Sequence, residues 1–322
     1  MSYTLDTPFA HGGPLGRAAF RQQPEDFIVQ EELGFAPEGD GEHHYLHLQK
    51  RGVNTDWVAQ KIARLAGVKP ADVGFCGLKD RHGVADQWFS VYLPKGNVPD
   101  WHKLEEDAAI KVLSLSKGRR KLRRGQHASN RFVILLRNVS GTSENELQER
   151  LLAISKSGVP NYFGEQRFGR NGSNLVSAKR WLEDGVPLNK MSGKSMIMSA
   201  ARSHLFNCVV AERVRQANWN TEIPGDVLLE GTPTGPLWGR GRSRASDEAL
   251  VLEQNALAEY SSWLNGLEHC GLSQERRSIV LSPVKLDWAL EGQNLRLSLD
   301  LRPGEFATAV LREVLQLDNL AA

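Results

Sequence analysis

The sequence predicts an α+β protein, and three features carry that expectation: a strictly alternating strand, an apolar strand suited to burial, and amphipathic helices between the strands. In Leu295-Arg296-Leu297-Ser298-Leu299-Asp300-Leu301, leucine and polar residues alternate, as required when one strand face packs and the other meets water. Pro303-Gly304 breaks the run. Asn130-Arg131-Phe132-Val133-Ile134-Leu135-Leu136 is apolar enough for a buried strand. Residues 54–66 place Trp57, Val58, Ile62 and Leu65 near helical spacing, with Asn54 as N-cap and Gly67 as stop.

The remaining elements follow the same logic. Residues 73–77 and 87–93 are rich in aromatic and β-branched residues and predict two strands. Between them lies the loop Gly77-Leu78-Lys79-Asp80-Arg81-His82-Gly83. Ser143 and Glu146 form a capping box ahead of Leu147, Leu151 and Ile154, a helix that should end at Gly158. A further helix is expected from near Ser199 through Leu205 and Val209. Gly231 to Ser246 is dense in Gly, Pro and Arg and predicts an irregular loop. Phe306, Val310, Val314 and Leu317 return to helical spacing, which predicts a helix over 306–317.

With 322 residues, 40% hydrophobic and 24% charged, the chain can bury a core and is neither disordered nor fibrous. No stretch approaches the roughly 20 apolar residues of a bilayer span. The start Met1 to Thr7 lacks a basic segment followed by an apolar one. A cytoplasmic location without a membrane partner is the resulting expectation. Cys76, Cys208 and Cys270 are odd in number and far apart, which argues for reduced thiols and against a disulfide framework or a cysteine zinc site. His43 and His47 would face away from His44 on a strand, so no metal site is expected. Cys76 sits in an apolar run and should be buried and inert.

Net charge, at +2, makes no case for nucleic-acid binding, but its distribution does. Lys117, Arg119, Arg120, Lys121, Arg123 and Arg124 bring six cations into eight residues with no acid among them, enough to neutralise several phosphates. A solvated basic loop is the bland alternative. Asp80, likewise, is by itself more often a turn residue bonding its own backbone than a catalyst.

The chain becomes recognisable at Gly77-Leu78-Lys79-Asp80-Arg81-His82-Gly83-Val84-Ala85-Asp86-Gln87. This segment closely resembles the G-x-K-D-x-x-x-x-x-x-Q signature of the TruD family of tRNA pseudouridine-13 synthases. Pro24 to Val29, Asn130-Arg131-Phe132, Val159 to Gly169, Ser199 to Asn207 and Arg302 to Thr308 also resemble family motifs, and they stand in family order. The resemblance is weakest between about 216 and 280. It implies a catalytic domain with a mixed, largely antiparallel sheet flanked by helices, formed by residues 1–157 and 282–322. Residues 158–281 would then be the family's inserted α/β domain. It also implies isomerisation of uridine to pseudouridine in tRNA, at position 13 of the D arm, with Asp80 as nucleophile and Phe27, Asn130 and Phe306 lining the uridine site.

That reaction breaks the N1 to C1′ bond, turns the uracil and rejoins it through C5. It changes no oxidation state, and the sequence offers no dinucleotide or phosphate-loop motif, so no cofactor is expected. A carboxylate suits the work, although whether it attacks sugar or base or removes a proton stays open. Burial beneath a base opposes ionisation unless a cation lies near. Arg312, whose spacing from Phe306 resembles a C-terminal motif of other pseudouridine synthases, is the leading partner, with Lys79 and Arg81 as rivals. A base extruded from folded tRNA needs stacking surfaces, a use for Phe27, Phe132 and Phe306, while Asn130 can pair with a uracil edge. Arg167 joins the basic segment as an expected RNA contact. tRNA is the one partner implied, and a monomer is expected. Two other readings remain: a non-catalytic RNA-binding or RNA-folding protein, and a glycosidase or nucleosidase using Asp80 with His82.

Overall fold

The computed structural model describes residues 7–94 and 98–320. Met1 to Asp6, within the stretch read for a leader, lie outside the described residues. The chain divides into two compact units. A sheet unit comprises Leu15–Glu146, Pro283–Ala307 and Gln316–Ala322, and a helical unit comprises Met1–Pro14, Leu147–Ser282 and Thr308–Leu315.

In chain order the sheet unit contributes β1 (Arg17–Phe20), β2 (Phe27–Glu32), β3 (His43–Arg51), α1 (Thr55–Ala66), β4 (Val73–Phe75), β5 (Val84–Tyr92), β6 (Ile110–Gly118) and β7 (Ser129–Ser140). After α2 (Glu144–Ser157) come β8 (Val159–Pro160), α3 (Ser173–Leu182), α4 (Lys194–Arg215), β9 (Leu228–Leu229), β10 (Thr232–Leu237), α5 (Asp247–Ala256), α6 (Ser261–Glu268), β11 (Glu275–Ser278) and β12 (Val280–Leu281). The chain ends with β13 (Lys285–Glu291), β14 (Asn294–Leu301), α7 (Ala307–Leu311) and β15 (Gln316–Asn319).

The large sheet runs in the order β13-β14-β7-β2-β5-β3-β6, with β1 paired to β7 and β15, and β4 to β5. Among the described residues, only β2 with β5 and β1 with β15 pair in parallel within it. It is the mixed, largely antiparallel sheet of an α+β protein. On β14, Leu295, Leu297, Leu299 and Leu301 are fully buried while Arg296 is exposed. Each such leucine stabilises by about 1.5–3 kcal/mol, which fixes the register because a one-residue slip would expose all four. Helix α1 lays Val58, Ala59, Ile62 and Ala63 on Leu46, Leu48, Phe89 and Val91. Gly67 ends it in the left-handed conformation at φ 68, its N–H donating to the carbonyls of Ala63 and Arg64. Asn54 stands at the N-cap, but its side chain makes no capping hydrogen bond.

The Ser143 and Glu146 capping box forms in both directions, at 2.8 and 3.3 Å, and Gly158 follows α2 at φ 73. In the helical unit, α4 buries Ile197, Ala201, Leu205, Phe206 and Val209. Short ladders join β11, β10 and β9, and β12 with β8, all antiparallel.

Three elements differ from expectation. Helix α4 begins at Lys194, five residues before Ser199. Residues 231–246 include β10, because Thr234 to Leu237 pair with Glu275 to Ser278. The helix expected over 306–317 stops at Leu311. Residues Gln316 to Asn319 instead pair in parallel with Arg17 to Phe20, where distant backbone satisfies them better than another helical turn.

Candidate active site

Asp80 lies in the loop between β4 and β5, and three neighbouring elements of the sheet unit pin that loop. From β5, Gln87 donates from Nε2 to the Gly77 carbonyl at 2.6 Å and accepts from Thr55 Oγ1 at 3.0 Å. Thr55, the first residue of α1, also accepts from the Lys79 N–H at 3.0 Å. From β3, Lys50 Nζ donates to the Asp80 carbonyl at 2.7 Å and to that of Val53 at 2.8 Å. Burial pushes the Lys50 ammonium down to about 8, against the opposing pull of Asp80. At the loop's end, a Cβ on Gly83 would stand 2.5 Å from the Phe27 carbonyl oxygen, so only glycine allows β2 so close. The carboxylate is thus presented by a fixed backbone.

The cation against Asp80 is Arg21. Its Nη2 donates to Asp80 Oδ2 at 2.8 Å, and its side chain is 4% exposed where that of Asp80 is 35%. The guanidinium lies 4.1 Å from the ring centre of Phe27 and 4.7 Å from that of Phe20, within cation–π range. Arg21 adopts φ 57, a conformation uncommon outside glycine, at the bend between β1 and β2. Asp26 locks that bend by accepting from the Gln23 N–H at 3.0 Å and taking the guanidinium of Arg137 at 2.7 Å.

Arg312, the partner expected for Asp80, makes its own contacts within the helical unit. It follows α7 directly, its N–H donating to the Thr308 carbonyl at 3.1 Å. Its Nη2 donates to the Thr7 carbonyl at 2.6 Å, and its guanidinium lies 4.3 Å from the ring centre of Phe9 and 5.1 Å from that of Tyr162. Lys79 is engaged as well. It pairs with Glu31 at 2.5 Å, both side chains being almost wholly buried, and burial raises the Glu31 carboxyl despite the ammonium beside it. Arg81 is exposed.

The expected aromatic residues divide by burial. Phe27 is 2% and Phe132 9% exposed. Their ring centres are 5.8 Å apart, and Phe20 meets Phe27 edge-on at 5.7 Å. They form a floor beneath Arg21 more than a free stacking face, while Phe306 is only half-buried. Asn130 donates from Nδ2 to His127 Nε2 at 2.9 Å, and its Oδ1 is buried with no partner among the described residues. Burial first, and Lys79 second, push His127 down to about 4. The imidazole is therefore neutral, with Nε2 accepting and the proton on Nδ1. That bond fixes the amide so that Asn130 retains an unspent acceptor. Cys76 is buried, its thiol pushed up to about 12 by burial, as suits an inert residue. Among the described residues no hydrogen bond joins Asp80 to His82.

Sequence reasoning missed Arg21, Lys50, Thr55, Glu31 and His127. Gln87 stood in the family signature without a role. It proves to be the link between the loop and α1.

The basic segment leaves β6 at Gly118. Arg119 pairs with Asp40 at 2.7 Å, Lys121 donates to the Ala71 carbonyl at 2.5 Å, and Arg124 lies 5.8 Å from the ring of Phe75. Lys117, Arg120 and Arg123 are exposed. Arg167, in the helical unit, donates to Ser199 Oγ at 3.0 Å.

The α+β scaffold thus holds one part-exposed carboxylate against a buried guanidinium. Comparison with known proteins is specific. Residues 8–180, over half the chain, match the family model described as tRNA pseudouridine synthase D (TruD). A tRNA pseudouridine synthase D of Cellvibrio japonicus (strain Ueda107) is 48% identical, covering 98% of this chain and 95% of its own. One of Nitrosococcus oceani is 44% identical, over 95% and 93%. A crystal structure of a candidate tRNA pseudouridine synthase D from Methanosarcina mazei shares the fold, with a TM-score of 0.68 at 19% identity and coverage of 96% and 95%. The chain belongs to the tRNA pseudouridine synthase D family.

Proposed function

We propose that this protein isomerises uridine to pseudouridine in tRNA, at position 13 of the D arm, with Asp80 as the nucleophile. The observation that carries the reading is the ion pair of Arg21 with Asp80 on a loop held from three sides. Family membership supplies the reaction, and the geometry supplies what the reaction asks of a carboxylate. A nucleophile must be held in place beneath a base that excludes water, and a buried guanidinium at 2.8 Å supplies a fixed partner for it. It must also keep its place while the uracil turns, which the pinned backbone favours. Asn130 Oδ1 is a suitable acceptor for the uracil N3–H, and Phe306 a suitable stacking surface. The sheet unit is then the catalytic part, and residues 158–281 an inserted part that adds contacts to the RNA. The exposed basic residues Lys117, Arg120, Arg123 and Arg124, with Arg119 and Lys121 beside them, would follow the phosphate backbone.

The test is conversion of a tRNA transcript labelled with tritium at uridine C5. Asp80→Ala should reduce tritium release to background while tRNA binding stays within a few-fold of wild type. Release near the wild-type rate from Asp80→Ala would overturn the assignment. Mapping of pseudouridine in tRNA from cells with and without the protein should show the difference at position 13.

A further inference from the structure

The helical unit contains a cleft of about 300 Å³ for which the chemistry above has no use. One wall is a single face of α4, where Ser195 stands three and four residues before Met198 and Ser199, and these stand four and three before Arg202. Arg167 and Leu237 lie among the other lining residues.

Both guanidiniums are held before any ligand arrives. Arg202 Nη2 donates to the carbonyls of Leu237 and Ser273 at 2.8 Å and to Glu275 at 3.2 Å. Its Nε is buried with no partner among the described residues. Arg167 bonds Ser199 Oγ at 3.0 Å and lies 5.1 Å from the ring centre of Phe163. Phe163 is itself clamped, since Asn207 accepts from its N–H and donates to its carbonyl, both at 2.9 Å. Glu275, exposed beside Arg202, offsets one of the two positive charges, which leaves the lining residues net positive. Fixed guanidiniums match phosphate geometry, serine hydroxyls suit phosphate or ribose oxygens, and Met198 with Leu237 suits the apolar side of a sugar or base. The volume is at the small end for ligand sites and fits one nucleotide.

We propose that this cleft holds one nucleotide of the RNA substrate, its phosphate on Arg167 and Arg202 and its sugar or base against Met198 and Leu237. The proposal rests on the reading of the protein as a tRNA-modifying enzyme and adds a defined contact in the helical unit.

The test measures binding of unmodified tRNA transcript to the full chain carrying Asp80→Ala, from 50 to 300 mM salt, so that it does not depend on turnover. Adding Arg167→Gln should weaken binding about tenfold and reduce the slope of log affinity against log salt by about one. Adding Ser195→Trp, at an exposed position that removes no structural arginine, should fill the cleft and weaken binding about tenfold at one salt concentration. Thermal midpoints check that each variant is folded, and if Arg167→Gln is not, Ser195→Trp decides. Wild-type affinity and slope in folded variants would overturn the subsite. Failure of the synthase reading is a separate result: the protein without substitutions would form no pseudouridine, whatever these affinities are.

Discussion

A non-glycine residue at φ 57 whose guanidinium is 4% exposed carries two costs at once. The backbone strain amounts to about 1–3 kcal/mol, and a charge must leave water. Arg21 recovers part of this from Asp80 and from the faces of Phe20 and Phe27. A hydrophobic residue would fill the same space without desolvating a charge, so its position is best explained by the carboxylate it serves. Arg21→Met is therefore expected to lower kcat by about 10²-fold, the size of effect seen when one preorganised charge-stabilising donor is removed, with tRNA affinity within threefold of wild type. Arg21→Lys should recover part of the loss, since it restores the charge without the planar fork. Single-turnover conversion of a tRNA transcript measures both, and an Arg21→Met rate within threefold of wild type would release Arg21 from this role. None of this was legible in the sequence. Arg21 meets Asp80 across 59 positions because of a left-handed bend that no local pattern announces, whereas Arg312 drew notice through a spacing that is local.

At the level of elements, legibility followed the range of the forces involved. Helix α1, the Ser143 and Glu146 box and the alternating leucines of β14 are set by residues within a few positions, and the sequence displayed them. Strands β10 and β15 are set by pairing with Glu275 to Ser278 and with Arg17 to Phe20, and local composition pointed elsewhere. The Asp80 loop is of both kinds, its signature being local and its supports, Thr55, Lys50 and Gln87, coming from three elements. Lys50 gives the supports a measurable property. Its ammonium is lowered by burial from 10.5 to about 8, so between these values the unfolded chain binds more protons than the folded one. Stability contributed by this group therefore rises with pH through that window and is smallest below it. Urea midpoints of the wild type and Lys50→Met at pH 7 and pH 10 should show the wild type gaining on the variant, by on the order of 2 kcal/mol. A gap that does not change with pH would mean that Lys50 titrates normally.

For the whole molecule, a net charge of +2 says almost nothing about partners, because 40 basic and 38 acidic residues nearly cancel. What matters is which cations have no acid beside them. Within the basic segment, Arg119 already has Asp40, but both side chains are more than half exposed and such a pair is worth at most about 1 kcal/mol. Arg120 and Arg123 are exposed and form no ion pair among the described residues, and Arg124 lies over the ring of Phe75 at 5.8 Å from its centre. If this segment follows the RNA backbone, Arg120→Glu, Arg123→Glu and Arg124→Glu together should lower the slope of log affinity against log salt by about 2–3, close to 0.9 for each phosphate no longer neutralised. The loss of tRNA affinity should be greatest at low salt, where counterion release contributes most. Arg119→Glu alone should cost less than any one of these, since Asp40 already screens that charge. The triple variant removes no buried side chain, so its thermal midpoint should stay near that of the wild type. An unchanged slope in a folded triple variant would assign the segment to ordinary solvated surface, leaving tRNA to be held by other cations, with Arg167 and Arg202 the first to examine.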